Sequence, residues 1–253
     1  MSRISYMLPA FATDFSAAMS FMSSLGGMTV LHAPGGCMGN YCGFDEPEWF
    51  GNPGMTYCSM LKEDETIFGN DDILLGKIKG TCKKVSPSFV AVIGSPITAL
   101  IGTDLDGIAM ISEEETGVPT VAVNTTGFDS YQTGLLKAFK SCDEKFSSEG
   151  PGTERTNLLG INKFDYHLTK DFSDFFNRLK GHASEHMYTM CGNGLEFFEG
   201  IGESRYNLAM STAGLAMSKY LRKRYGTDYG VLEYEADGKV SDRKSTRLNS
   251  SHP

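Results

Sequence analysis

The sequence predicts an α/β protein of Rossmann-like parallel-sheet domains, the first complete and the second truncated. Phe89–Ile93 and Thr120–Val123 are continuous apolar runs rich in β-branched residues, as in strands covered on both faces. Strand and helix patterns alternate between Met28 and Phe146, which predicts a parallel sheet with right-handed crossovers. The 29 glycines and 13 methionines among 253 residues suit a chain full of strand-to-helix turns.

Thr13-Asp14 is placed to cap a first helix through Phe15, Met19, Met22 and Leu25, which Gly26-Gly27 ends. Met28–Leu31 is the first strand, and it empties into a loop holding Pro34, Gly35, Gly36 and Gly39. The loop after it, residues 44–54, holds Trp49 and Phe50, read as a local packing cluster, and Asp45, Glu46 and Glu48, read as a solvated turn. A short apolar segment then ends at Cys58. Asp71-Asp72 open a helix with Lys83 and Lys84 in its last turn, where the dipole favours cations. After the strand Phe89–Ile93 come Gly94-Ser95-Pro96, and Thr103 to Asp106 resembles a capping box with Asp in place of Glu. That helix ends before Gly117, the strand Thr120–Val123 follows, and an amphipathic helix from about Tyr131 to Phe146 closes the unit.

Residues 1–150 make the first domain, and the polar, Gly- and Pro-containing stretch 147–156 reads as a linker. The second domain covers 156–241, with strands at 157–161, 187–190 and 206–210, helices at 172–179 and 215–225, and one more strand beginning at Val231. It has too few elements for a closed Rossmann-like domain. Residues 242–253 (D-R-K-S-T-R-L-N-S-S-H-P) have no apolar periodicity and match the in-frame translation of a sequencing-library adapter, so they read as a non-native tail on a fragment.

The formal net charge is −8 and no basic stripe occurs, which argues against nucleic acid as a partner. No apolar run is long enough for a signal peptide or a membrane helix. Six irregularly spaced cysteines without a secretory signal read as reduced thiols in the cytoplasm.

Cys37 lies on the glycine loop with Cys42 five residues on, and Cys58 and Ser95 lie at the ends of other strands. Loops that leave one edge of a parallel sheet converge, and thiols gathered from several loops are what an iron–sulfur cluster requires. A tight turn with a buried idle thiol is the other reading of the same loop. Cys82 and Cys142 fall within helices and read as inert. His182 and His186, four apart, read as a surface pair, and Gly192-Asn193-Gly194 is a weak phosphate-loop signal.

Four stretches in order, L-H-A-P-G-G-C, L-K-E-D-E-T-I-F-G-N-D-D, A-V-I-G-S-P-I-T-A-L-I-G-T-D-L-D-G-I-A and V-P-T-V-A-V-N-T-T-G-F-D, resemble the nitrogenase component 1 family. The resemblance covers about residues 9–237 and includes nitrogenase subunits, cofactor-assembly scaffolds and dark protochlorophyllide reductase subunits. It implies Rossmann-like domains paired as homologous subunits, in a homo- or heterodimer. It also implies an iron–sulfur cluster of 4Fe–4S type or larger, shared across the interface, and electrons from an ATP-dependent iron–sulfur reductase.

Carried over by position, Cys37 matches the family's cluster cysteine and His32 the histidine of the same motif. The chain departs from the pattern where Ser95-Pro96 stands for Cys-Pro, and no cysteine precedes Cys37, where Ala12 and its neighbours stand. Three outcomes stay open: Cys58 and Cys42 complete a rearranged set of ligands, Ser95 or Asp14 ligates through oxygen, or the subunit has lost its cluster. The implied function is a subunit of a nitrogenase-like oxidoreductase with metal-binding residues Cys37 and Cys58. The alternatives are a non-catalytic metallocluster scaffold or assembly subunit of the same family, and a ligand-binding α/β protein without metal.

Overall fold

A computed structural model of the chain describes residues 12–42, 55–69, 71–148, 153–161, 187–189, 194–234 and 240–244. The chain divides into two compact units, residues 1–141 and 142–253, each built on its own sheet.

The first unit opens with α1 (Asp14–Ser24) and β1 (Met28–Leu31), followed by α2 (Gly35–Cys42), β2 (Thr56–Cys58), α3 (Glu63–Phe68) and α4 (Asp71–Val85). Then come β3 (Val90–Ile93), α5 (Pro96–Ile101), α6 (Leu105–Thr116), β4 (Thr120–Val123) and α7 (Tyr131–Phe146), whose last turn crosses into the second unit. The strands pair in the order β2-β1-β3-β4, all parallel, so every strand ends on the same edge. β1, β3 and β4 are buried throughout, as their unbroken apolar runs predict. Met28, Val30, Val90, Val92 and Ala122 pack with Leu74, Leu75 and Ile78 of α4 and Leu105, Ile108 and Ala109 of α6. α1 packs against β1 and β3, and its Phe21 meets Phe139 of α7 edge to face at 6.5 Å between ring centroids.

Three local expectations are corrected. The glycine-rich segment after β1 is helical from Gly35, so Cys37 sits in the first turn of α2 and not on an open loop. Thr13 makes no side-chain cap. The cap of α6 is Asp104, one residue later than the Thr103 box, and its carboxylate accepts from Gly107 N at 3.0 Å.

The second unit holds β5 (Thr153–Leu159), β6 (Met187–Thr189), short 3₁₀ turns at Gly194–Phe198 and Ile201–Glu203, β7 (Ser204–Ala209), α8 (Thr212–Tyr225), β8 (Tyr229–Tyr234) and β9 (Val240–Lys244). Its strand order is β6-β5-β7-β8-β9, parallel except for β9. β5 begins inside the stretch read as a linker, because Arg155 is buried with its donors satisfied. Its guanidinium donates to Asn157 Oδ1 at 2.7 Å and to the carbonyls of Glu199 and Phe197, and it lies over the Tyr188 ring. Asp143 is buried and accepts from the Tyr220 and Tyr225 hydroxyls at 2.8 and 3.1 Å, with Arg224 3.3 Å away. Burial still raises the Asp143 carboxyl above its ordinary value.

Asp242–Lys244, read from the sequence as part of a non-native tail, pair with β8 through Leu232↔Asp242, Val231↔Arg243 and Gly230↔Lys244. Backbone pairing at a sheet edge needs no apolar side chain. The expected helix 172–179, His182 and His186, residues 191–193, the 44–50 cluster and 245–253 lie outside the described residues.

Candidate functional site

In the order β2-β1-β3-β4 the chain steps from β1 to β2 on one side and then crosses back to β3 on the other, so the switch point of the sheet lies between β1 and β3. In open α/β sheets the strand ends at such a point hold the ligand. Here they carry His32, Cys58-Ser59 and Gly94-Ser95.

The backbone amide of Cys37 and the thiol of Cys58 converge on the Pro34 carbonyl. The amide of Cys37 donates to Pro34 O at 3.1 Å, and the Cys58 thiol lies 3.8 Å from that same oxygen while it donates to Ala33 O at 3.2 Å. Both thiols are free and half-buried. Burial pushes the Cys58 thiol above its ordinary value, and a charge on Cys37 pushes it the same way. Lys77 and the Met60 amide, which donates to Cys58 Sγ at 3.4 Å, pull it down.

The backbone here is strained. Met60 has φ 57°, in the left-handed region that bulky residues avoid. Its side chain lies over Gly35, where a Cβ would come within 2.8 Å of the Met60 methyl. Such strain costs about 1–3 kcal/mol and persists where surrounding bonds over-determine it. Those bonds are Leu61 N to Ala33 O at 3.0 Å, Ser59 N to Leu31 O at 2.9 Å and the contacts of the Ser59 hydroxyl.

That hydroxyl accepts from Ala33 N at 3.1 Å, donates to Ala33 O at 3.3 Å and pairs with His32 Nδ1 at 2.9 Å. The protons balance when neutral His32 carries its hydrogen on Nδ1. His32 is buried, and burial with the nearby Lys77 charge lowers its pKa to about 4, against a smaller opposing pull from Glu65. Lys77 Nζ donates to Ser59 O at 2.5 Å. Ser59, Met60 and Lys77 give no motif signal, and Glu65 lies in the family-like stretch 61–72 without being singled out there. The adjacency of Ser59 to Cys58 is the single hint in the sequence.

Ser95 and Asp14 are held in contacts of their own. Ser95 is fully buried as the N-cap of α5, its Oγ 3.4 Å from both Thr98 N and Thr98 Oγ1, with Pro96 at the first helical position. Asp14 is fully buried, and its carboxylate accepts from Phe15 N, Thr126 N and Gly127 N at 2.7–2.9 Å and pairs with Lys137 at 3.2 Å. Cys42 is the last residue of α2, and its side chain is outside the described ones. Burial raises the pKa of both Cys82 and Cys142, as suits inert thiols. Among the described residues no three His, Cys, Asp or Glu side chains gather to hold a metal ion.

Fold and site together define an α/β protein with two half-buried thiols near the carboxyl edge of a parallel sheet. Residues 14–233 match the family described as nitrogenase component 1 type oxidoreductase, and the chain belongs to that family. It is 23% identical over 196 residues to the nitrogenase iron-molybdenum cofactor biosynthesis protein NifE of Clostridium pasteurianum, covering 76% of this chain and 42% of that one. It is 25% identical over 240 residues to the nitrogenase molybdenum-iron protein beta chain of Methanothermobacter thermautotrophicus, covering 83% and 52%. It is 32% identical over 119 residues to the light-independent protochlorophyllide reductase subunit N of Synechococcus elongatus, covering 44% and 25%. The chain thus spans about half the length of the first two relatives. A solved structure titled "Nitrogenase Cp1 at pH 6.5" superposes with a TM-score of 0.71 at 17% identity, over 94% of this chain and 48% of that one, and shares its fold.

Proposed function

We propose that the chain is a subunit of a nitrogenase-like iron–sulfur oxidoreductase that passes low-potential electrons from an ATP-dependent reductase towards a substrate. The observation that carries this reading is the Cys58 thiol lying 3.8 Å from the same Pro34 carbonyl that the Cys37 backbone amide binds, at the switch-point edge of a member of this family. A thiol in the first turn of α2 and one at the end of β2 suit one edge of an iron–sulfur cluster, with Cys37 and Cys58 as its holders on this side. Bound there, such a cluster supplies one-electron transfer at low potential. A homologous subunit, either a second copy or a different chain, supplies the remaining thiolates.

The surface around the pair supports a protein partner. Met60, Ile67, Leu100 and Phe128 are 57%, 72%, 72% and 72% exposed, and each lies on a segment leaving a strand's carboxyl end. Large apolar side chains gathered on one edge mark an interaction surface.

Anaerobic reconstitution with iron and sulfide, with the homologous subunit present, is expected to give the broad visible absorption of a cluster. Cys37→Ala should abolish it, and Cys82→Ala and Cys142→Ala should leave it unchanged. Absence of iron uptake by the wild-type pair, or a full cluster in Cys37→Ala, overturns the reading.

Ser95 favours a second reading. Where the family's cluster-binding members have cysteine, a buried hydroxyl caps α5, which suits a metallocluster scaffold or assembly subunit with a looser hold. The two readings divide on one measurement. With reductase and ATP the enzyme turns electrons over and keeps its cluster, whereas the scaffold gives its cluster up to an acceptor protein.

A further inference from the structure

Ser59 is 3% exposed, and its side chain serves no helix cap and no ion pair. Its hydroxyl bonds to both polar backbone groups of Ala33 and to the ring of His32. Ala33 lies on the segment that runs into Cys37, and Ser59 directly follows Cys58. The Ala33 carbonyl is also the one that receives the Cys58 thiol. A single hydroxyl thus joins the two stretches of chain that carry the two sulfurs. Lys77 of α4 holds the same residue from outside through its carbonyl. Next in the chain, Met60 is held in the left-handed region with its amide turned back onto Cys58 Sγ.

We infer that Ser59 is a positioning residue: its hydroxyl sets the spacing and orientation of the Cys37 and Cys58 thiols so that both can bind one thiophilic atom. The inference rests on reading Cys37 and Cys58 as one site. It adds the group that makes them one, and it applies with or without a cluster. A buried hydroxyl whose bonds all go to one loop and its neighbouring histidine is a fixing device, because removing it leaves Ala33 N and His32 Nδ1 buried without that partner.

The probe is phenylarsine oxide. Its arsenic condenses with two thiols, forming two As–S bonds and releasing one water from the arsenic-bound oxygen and the two thiol protons. Arsenic stays trivalent, so no oxidant or reductant is needed. Capture demands both sulfurs at a set separation, whereas alkylation by iodoacetamide demands only that each be reachable. Joint protection of the Cys37 and Cys58 peptides from alkylation, read by mass spectrometry on the full chain, reports capture.

In the wild type both peptides should be protected together. Ser59→Ala should weaken capture about tenfold, the scale of one lost buried hydrogen bond, while the alkylation rate of each cysteine without arsenical stays within about twofold. Ser59→Thr, which keeps the hydroxyl, should restore capture. Lys77→Met, an exposed position that should fold readily, should weaken it about threefold, and it decides alone if Ser59→Ala does not fold. Wild-type capture by Ser59→Ala or, in that case, by Lys77→Met overturns the inference. So do alkylation rates that fall as much as capture does, or a wild type whose two peptides are never protected together. Arsenical capture that depends on Ser59, in a chain that takes up no iron, would remove the cluster reading and leave this one standing.

Discussion

His32 couples the site to pH. Its ring is buried beside Ser59 and near the Lys77 charge, and its pKa in the folded chain is about 4 against an ordinary 6.5. An unfolded chain therefore binds a proton at this ring below pH 6.5, and the folded chain does not until about pH 4. The contribution is fully present above pH 6.5 and is lost as the pH falls from there towards 4. Between pH 7 and pH 5 the loss is about 2 kcal/mol. Urea unfolding at the two values should show it in the wild type, and His32→Gln should flatten the difference by about that amount. Equal pH slopes for the two proteins would mean that the ring is not held neutral. The sequence marks His32 through its motif, but it does not disclose this environment. Ser59, Lys77 and Glu65 come from other segments, and only the pairing of β1 with β2 brings the Ser59 hydroxyl to the ring.

Among the helices, glycines separate into those the packing requires and those it tolerates. Gly134 of α7 lies so close to the start of α1 that a Cβ there would collide with the backbone carbonyl of Asp14. Gly76 and Gly80 of α4 have nothing within 4 Å of the same added atom. Alanine is favoured over glycine inside a helix by about 1 kcal/mol. Gly76→Ala and Gly80→Ala should therefore each stabilise the chain by up to about that much. Gly134→Ala should destabilise it by about 2–3 kcal/mol, since the obstacle is backbone that cannot step aside. Thermal melts of the three variants check this, and a stabilised Gly134→Ala would refute the close approach. Helices with strong punctuation were legible at this scale. α4 has its opening aspartates and closing lysines, α6 its terminal glycine, and α7 runs over the residues its periodicity predicts. The short helices α2, α3 and α5 were not. A segment of four to eight residues shows little more than two turns of pattern, and in α2 the glycines signal a loop more strongly than a helix.

For the whole chain, the parallel winding was legible because buried strands read as apolar runs, and the two sheets repeat one plan. β1 is flanked by β2 and β3 in the first sheet, and β5 by β6 and β7 in the second. What the sequence concealed is the start of β5, where a buried arginine makes a strand look like a linker, and the addition of β9, which rests on backbone bonds. Ending the chain after Ser241 removes three of the β8–β9 residue pairs, those of Asp242, Arg243 and Lys244. Its unfolding free energy should change by less than about 1 kcal/mol, and a larger loss by calorimetry would show that the tail-like residues belong to the fold. The Asp14 carboxylate sets a constraint of another kind. It bonds to amides 112 and 113 residues further along the chain, so the first helix cannot complete its seat when it forms. On a ribosome adding about 5–20 residues per second, the amino-terminal segment waits several seconds for the loop after β4 to emerge. Until then the apolar face of α1, with Phe21 and Met22, has only part of its eventual cover. The opening stretch of this chain is thus among the last parts of its unit to be secured during synthesis.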